Sequence, residues 1–482
     1  MLFHSATFLV TVSLLVVAFW LTPSHRLRLV WLFAASVVFY GWSHWPSVFL
    51  LLGSIGVNYA LGRQLGGAPS KRLLSLGISL NLSLLLYFKY ARFLADQVIS
   101  LAAALGVTLA VPKPAAWAPL GISFFTFQMV AYLVDVHRKQ LPAEKDLLVF
   151  AVFKSFFAQL VAGPIVRGSE FLPQLKQKAP FDASQLHRGV WLVLFGLFLK
   201  VGVADVIGDF VDFAWKDPAT LGINNAWLAV YAYAAQLLAD FWGYSTMAVG
   251  LGLCFGLVLP VNFLNPYGAS TLREFWRRWH ITLSVWLRDY LYISLGGNPA
   301  RSRRVVTGDS STVDGRARGD RAEVPGVSKA RAAFNRIVTM ALGGLWHGPG
   351  WNFILWGVLH GVWMDVELAT EKLRAKWPKA LMWFITFHVV VFLWLPFRAP
   401  SMSSLATLVG RLFNAPWDIN TPTQTAVLTF GFLLLQQPLF ALVRDDRPSS
   451  LRRGLEWALI AVMLWLLLAY GNARQDFIYR VF

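Results

Sequence analysis

The chain has 482 residues, of which 56% are hydrophobic and only 14% are charged, and its mean hydropathy is +0.54. An average soluble domain carries roughly 25% charged residues, so this composition excludes an ordinary soluble protein and indicates a membrane protein. The formal net charge of +18 fits basic loops on one side of a membrane and attraction to anionic lipid headgroups, and we prefer this explanation to nucleic-acid binding.

Apolar runs recur along the whole chain, from SATFLVTVSLLVVAFWL near the N-terminus to LEWALIAVMLWLLLAYG at residues 455–471. Each is close to the length that an α-helix needs to cross the hydrocarbon core, and a lipid-exposed backbone must satisfy its own hydrogen bonds. The sequence therefore predicts an all-α polytopic membrane protein with about ten to twelve transmembrane helices. The first run has no basic start and no small-residue cleavage site, so we expect it to be a retained span.

The longest polar interruption covers residues 299–333 and contains eight Arg or Lys and four Asp or Glu residues. Its Gly, Ser, Asp and Pro content is typical of a mobile loop, and its positive charge favours the cytoplasmic side. The other polar breaks are short connections between helices. We therefore expect a single membrane domain over residues 1–482, with N-terminal spans at 1–118, a core at 119–396 and C-terminal spans at 397–482.

The segment TLREFWRRWHITLSVWLRDYLYISLGGN at residues 271–298 places charged side chains among tryptophans. On one continuous helix, His280 would share a face with Ser284 and Trp276. Arg273 and Arg277 would lie on the same face. The arginines also fit an interfacial helix whose side chains reach lipid headgroups, whereas His280 has no lipid-facing task. We therefore take His280 as a functional candidate and Ser284 as a supporting residue.

The segment LGGLWHGPGWNFILWGVLHG at residues 342–361 contains two histidines, His347 and His360, in an apolar setting. Pro349 predicts a helix break just after His347 and a new helix from around Trp351. Irregular backbone at membrane depth is tolerated where it lines an enclosed or wet cavity, and ionisable residues there are functional candidates. An imidazole also suits a general base that removes the proton of a hydroxyl near neutral pH.

Other kinds of chemistry find no support in the sequence. The chain has no H-E-x-x-H motif and no carboxylate cluster, and its single cysteine, Cys254, excludes a cysteine metal site and an internal disulfide, so we predict no bound metal. It also has no G-x-S-x-G elbow, no Walker loop and no dinucleotide fingerprint, which argues against a hydrolase, an ATPase or a nucleotide-dependent reductase. For His388, in the apolar run ITFHVVVFLW, we expect only a hydrogen bond to a backbone carbonyl of another helix.

The paired segments at 275–298 and 342–361 closely resemble the membrane-bound O-acyltransferase family, and within it the bacterial alginate O-acetyltransferase membrane subunits. The resemblance makes residues 119–396 the catalytic core, with interfacial or re-entrant helices around a central tunnel. Further stretches that carry the resemblance lie at 119–138, 162–175 and 236–267.

The resemblance implies that an acyl group moves from a thioester donor to a hydroxyl. The essential histidine of the family's W-H-G motif falls on His347, and the family's second polar position, asparagine or histidine, falls on His280. In the family these two residues face each other in the tunnel. His360, Trp346 and Asn352 are then supporting residues.

The resemblance also implies the substrates and partners. Acetyl-CoA would be the donor substrate, with no permanently bound cofactor, and Arg277, Arg278 and Arg288 are candidates for binding its phosphates. The acceptor would be a polysaccharide, reached directly or through an extracytoplasmic acetyltransferase or esterase-like partner protein. The chain would lie among the lipids of the bacterial inner membrane as a multi-pass protein.

Three alternatives remain open at this point. A D-alanyl transferase would use a carrier-protein thioester in place of acetyl-CoA. A polysaccharide or lipid transporter would use His347 as a gating or proton-relay residue without forming a covalent product. A scaffold without catalytic activity would depend on no single histidine.

Overall fold

The computed structural model describes residues 3, 5–42, 44–113, 119–161, 163–296, 328–444, 454 and 456–462, and all regular secondary structure among these residues is helical. The predicted all-α class is therefore confirmed. The α-helices are α1 (Ala6–Leu21), α2 (His25–Gly41), α3 (Ser47–Gly67), α4 (Lys71–Leu85), α5 (Ala91–Ala104), α6 (Ile122–His137), α7 (Leu147–Ser155), α8 (Phe157–Leu160), α9 (Gly168–Leu175), α10 (Ala183–Leu197), α11 (Val206–Lys216), α12 (Ile223–Cys254), α13 (Leu272–Arg278), α14 (Ile281–Trp286), α15 (Lys329–His347), α16 (Trp351–Ala369), α17 (Glu371–Arg374), α18 (Lys379–Arg398), α19 (Met402–Asn414) and α20 (Thr423–Arg444). Three π-helical turns lie at Leu86–Tyr90, Phe198–Asp205 and Leu287–Tyr292, and two 3-10 turns lie at Pro218–Thr220 and Pro266–Gly268.

Several of these helices are suited to a lipid bilayer, which confirms a multi-pass membrane protein. In the described part of the chain, six helices are long and apolar enough to cross a membrane. The count of about ten to twelve spans stays a prediction, because the apolar run at 455–471 lies largely outside the described residues. The six helices are Ser47–Gly67, Lys71–Ala104, Ala183–Lys216, Ile223–Cys254, Lys379–Arg398 and Thr423–Arg444, and two shorter apolar helices cover Thr7–Leu21 and Ile122–His137.

The polar loop predicted at residues 299–333 is shorter than expected on its C-terminal side. Residues 299–327 lie outside the described part of the chain. Ser328 begins α15, and its hydroxyl accepts a hydrogen bond of 3.2 Å from the backbone N–H of Arg331. A serine at this position satisfies one of the free N–H groups of the first helical turn, and the prediction of a loop through residue 333 is therefore wrong for its last residues.

Residue contacts divide the chain into two units. The first consists of Met1–Val190 and Ala248–Leu259, and the second of Trp191–Met247 and Pro260–Phe482. The predicted single membrane domain stays a prediction, since each unit would have to be tested for folding by itself.

The first unit is organised around α6, which packs against α3 and α4. All its residues from Ile122 to Val136 are buried. An amide pair joins α3 to α4, because Asn81 Nδ2 donates to Asn58 Oδ1 over 2.8 Å and Asn58 Nδ2 donates back to Asn81 Oδ1 over 3.2 Å. This reciprocal pair satisfies polar groups that would otherwise be costly to bury.

In the second unit, α15 and α16 form a tightly packed hairpin, which α13 and α18 contact along α16. Glycines permit the close approach. A Cβ atom on Gly344 would overlap the backbone oxygen of Phe353, and one on Gly357 would overlap that of Met340. Small residues let two helix backbones approach in this way, and this hairpin carries both histidines of the W-H-G segment.

Candidate active site

Three histidines of the second unit lie in one cluster of aromatic rings. The ring centroid of Trp346 lies 6.1 Å from that of His280 and 4.8 Å from that of His347. The ring of Trp356 lies 5.3 Å from that of His347 and 4.7 Å from that of His360. The three histidines are 0%, 4% and 0% exposed. The structure therefore brings together the two predicted catalytic residues and two of the predicted supporting residues.

His347 is the last residue of α15, and the helix break predicted beside Pro349 is present. The next helix begins at Trp351, as predicted. Besides the rings of Trp346 and Trp356, the ring of His347 meets Phe397 of α18 at a centroid distance of 5.0 Å. Packing from three helices thus fixes the position of a ring that lies at a helix end.

The helical spacing that would place His280 on one face with Ser284 and Trp276 is not continuous, because the chain breaks at His280. The helix α13 ends at Arg278, and α14 begins at Ile281. The backbone of His280 is left-handed, with φ 42° and ψ 54°. This conformation costs a non-glycine residue about 1–2 kcal/mol, although asparagine and histidine adopt it more often than most residues. The surrounding structure has to hold it in place.

This break removes the predicted helical face that would join His280 to Ser284, Trp276 and two arginines. The Ser284 hydroxyl donates instead to the backbone oxygen of Trp279 over 3.2 Å. Ser284 therefore supports the backbone beside His280 through Trp279.

Burial determines the charge of two of the histidines. It lowers the pKa of His280 to about 3 and the pKa of His360 to about 3. Neither residue lies in the six helices that are suited to crossing a membrane. Desolvation penalises the charged imidazolium, so both rings are neutral at pH 7. His280 can therefore act there as a neutral hydrogen-bonding group.

His360 connects α16 to α13 through a hydrogen bond that the sequence did not reveal. The indole Nε1 of Trp276 donates to Nδ1 of His360 over 3.2 Å. In a neutral ring whose Nδ1 accepts, the proton sits on Nε2. The supporting role predicted for His360 thus has a physical basis, because this bond joins the segment before His280 to the helix that follows His347.

Asn352 has its contacts on α18. Its Nδ2 donates to the backbone oxygens of Pro396 and Ala399 over 3.2 and 3.0 Å. This end of α18 carries Phe397, which touches His347. Asn352 therefore stabilises the wall of the cluster, and within the described part of the chain it has no hydrogen bond to a histidine.

Arg278 and Arg288, which are among the arginines predicted to bind phosphates, are paired with carboxylates of their own segment. Arg278 forms an ion pair with Glu274. Arg288 Nε lies 2.7 Å from Asp289 Oδ1. Arg277 is exposed. Phosphate binding by these arginines stays a prediction.

The second unit contains a buried charge cluster that the sequence patterns above did not predict. Lys200 Nζ lies 2.7 Å from Asp205 Oδ1 and 2.9 Å from Asp240 Oδ1, and all three side chains are at most 4% exposed. The signal was present, since ionisable residues inside apolar runs are costly and usually paired.

We expect Lys200→Met to destabilise the protein by about 3–5 kcal/mol, because it leaves two carboxylates buried without their ammonium partner. The measurement is thermal unfolding of the purified chain in detergent. Lys216→Met makes the same change at the exposed end of α11 and should leave the unfolding midpoint close to that of the wild type. Equal midpoints for the two variants would contradict the prediction.

Comparison with known proteins shows the family to which the chain is related. The model of MBOAT, the membrane-bound O-acyltransferase family, matches residues 77–307, which include His280 and end before His347. The "Probable alginate O-acetylase AlgI" of Azotobacter vinelandii is 36% identical over 454 residues, covering 90% of this chain and 84% of the relative.

The names of two further relatives give a different acceptor or a different transferred group. The "Peptidoglycan O-acetyltransferase" of Helicobacter pylori is 36% identical over 418 residues, covering 80% of this chain and 73% of the relative. The "Teichoic acid D-alanyltransferase" of Streptococcus thermophilus is 28% identical over 307 residues, covering 58% and 68%. The chain belongs to the membrane-bound O-acyltransferase family, and it is an O-acyltransferase.

Proposed function

We propose that this protein transfers an acetyl group from acetyl-CoA on the cytoplasmic side of the bacterial inner membrane towards hydroxyls of an extracytoplasmic polysaccharide, through a partner protein. The observation that carries the proposal is the pair His280 and His347, which are both buried and whose rings both lie near the ring of Trp346. The names of the alginate and peptidoglycan relatives support acetyl transfer to a polysaccharide.

In the proposed reaction, His347 accepts the proton of the acceptor hydroxyl while the hydroxyl oxygen attacks the thioester carbonyl. A C–O bond forms and the C–S bond breaks, and the leaving thiolate takes the proton back from His347. The base therefore ends the cycle as it began, as expected for general acid–base catalysis.

His280 donates a hydrogen bond to an oxygen of the acceptor or of the thioester in this proposal. Its neutral ring and its fixed position suit a donor that has to be in place before the reaction begins. The aromatic rings around both histidines exclude water, which strengthens polar contacts at the reacting atoms.

The alternatives differ from this proposal either in the donor of the transferred group or in having no covalent reaction. A transporter or scaffold without a reaction is not retained, because the chain is an O-acyltransferase. A D-alanyl donor is less well supported than an acetyl donor, because the teichoic acid D-alanyltransferase matches a shorter part of this chain at lower identity.

We expect the purified full-length chain in detergent to consume radiolabelled acetyl-CoA at least about tenfold faster than a D-alanyl carrier-protein thioester. A tenfold preference corresponds to about 1.4 kcal/mol of transition-state stabilisation. The measurement is release of free thiol and of labelled acetate or acetylated acceptor. Faster turnover of the carrier-protein donor would replace the acetyl proposal with the D-alanyl alternative.

A further inference from the structure

The short segment Asn262–Leu264 is hydrogen-bonded to the backbone on both sides of His280. The N–H of Leu264 donates to the backbone oxygen of Arg278 over 2.9 Å. The backbone oxygen of Asn262 accepts from the N–H of Ile281 over 3.0 Å. Two hydrogen bonds to the segment Asn262–Leu264 thus hold the backbone before and after His280. His280 cannot change to a right-handed helical conformation without breaking one of them.

The side chain of Asn262 forms three more hydrogen bonds near His280. Its Oδ1 accepts from the N–H and the hydroxyl of Thr282, over 3.2 and 2.7 Å. Its Nδ2 donates to the hydroxyl of Ser245 on α12 over 3.3 Å. Asn262 is 1% exposed, so these bonds form away from water, where a lost partner is costly. One amide therefore ties the first turn after His280 to α12.

The same helix supplies a wall of the histidine site. Phe241 of α12 meets the ring of His280 edge to face, with centroids 4.7 Å apart. The neighbour of Asn262, Phe263, packs against both Phe241 and Trp279 at 5.0 Å. The position of the His280 ring relative to α12 thus depends on the segment that contains Asn262.

We propose that Asn262 is a positioning residue for the reaction: it holds His280 in its left-handed conformation and so keeps the imidazole in place beside Trp346. The proposal rests on the proposed role of His280. Asparagine suits the task because one side chain both donates and accepts, whereas leucine of similar size can do neither. A conformation that is unfavourable by itself persists only where such surrounding bonds determine it.

The test compares two buried asparagines of the second unit. Asn262→Leu removes the bonds to Thr282 and Ser245. Asn225→Leu is the matched control, because the buried Asn225 donates to Asp418 Oδ2 over 2.7 Å and to the backbone oxygen of Asn420 over 3.1 Å. Asn262→Asp is the conservative variant, since a carboxylate still accepts from Thr282 and can accept from the Ser245 hydroxyl.

Each full-length variant is purified in detergent and measured in two ways. The first is kcat and KM with radiolabelled acetyl-CoA. The second is the NMR spectrum of ¹³C-labelled histidines, in which His280 is assigned by the signal lost in His280→Asn. A displaced catalytic group can cost about a hundredfold in rate, so we expect Asn262→Leu to lower kcat by about 10–100-fold, to change KM by less than about threefold, and to move the His280 signal.

The other variants should separate positioning from stability. We expect Asn262→Asp to keep kcat within about threefold of the wild type and Asn225→Leu to lower thermal stability while leaving kcat and the His280 signal unchanged. The proposal is overturned if Asn262→Leu leaves the His280 signal in place, or if Asn225→Leu lowers kcat as much as Asn262→Leu.

Two further outcomes are an inactive wild type and an Asn262→Leu variant that does not fold, and each leads to a different conclusion. If the wild type does not consume acetyl-CoA, the donor in the proposed function is wrong, and the His280 signal alone then decides whether Asn262 positions the ring. If Asn262→Leu does not fold, Thr282→Val takes its place, since it removes only the hydroxyl that donates to Asn262 Oδ1. A displaced His280 signal in that variant supports the proposal, and an unmoved signal overturns it.

Discussion

His347→Ala and His347→Gln are each expected to lower acetyl transfer by about 10²–10⁴-fold, the usual contribution of a general base. His347 is the histidine at the helix end, with rings of three helices around it. Neither alanine nor glutamine can accept the hydroxyl proton near neutral pH. The measurement is labelled acetyl transfer by purified protein at matched folded fraction, judged by the elution profile and the thermal midpoint in detergent.

The two substitutions separate chemistry from packing. Alanine leaves a cavity among the aromatic rings, whereas glutamine fills more of the space, so similar inactivity in both indicates loss of the base and not loss of packing. His388→Ala is a control, because Nδ1 of His388 donates to the backbone oxygen of Phe384 in its own helix. It should keep wild-type activity. Transfer by His347→Gln within about tenfold of the wild type would remove His347 as the general base.

His280→Asn is expected to keep acetyl transfer within about tenfold of the wild type, whereas His280→Ala and His280→Gly should each lose about a hundredfold or more. Asparagine tolerates the left-handed backbone and still offers a hydrogen-bond donor. Asparagine and histidine, the two residues that the resemblance implies at this position, then share two physical properties: both accept φ 42°, and both can donate to a substrate oxygen.

The alanine and glycine variants both lack the imidazole, and they differ in the free-energy cost of a backbone with positive φ. Glycine adopts positive φ without the Cβ penalty, so His280→Gly should be more stable than His280→Ala by about 1 kcal/mol, although both lose the buried ring. Unfolding midpoints measure this difference, and transfer rates measure the loss of the side chain. Equal stability of the two variants would argue against the left-handed conformation, and an inactive, folded His280→Asn would show that the imidazole itself is required.

The sequence alone determined the class of the protein and pointed to His280 and His347 as the candidate catalytic residues. Long apolar runs require helices in a bilayer, so the all-α membrane class followed from composition and period. Pro349 carries a local signal, since proline disfavours helix in the residue before it, and the break after His347 was predicted for that reason. The hydrogen bond of His388 to a backbone carbonyl is present, but the prediction that it would reach another helix is wrong, because the ring donates to Phe384 one turn earlier in its own helix.

Only the tertiary structure decided how the histidines are held. No glycine or proline lies beside His280 in the sequence. Its left-handed turn is held by hydrogen bonds to residues 262 and 264, whose spacing from His280 follows no local periodicity. The bond from Trp276 to His360 and the cluster around Lys200 also join residues far apart in the chain. Local rules describe the conformation of a segment, whereas the partners of a buried polar group depend on which segments pack together, and that is determined by the whole fold.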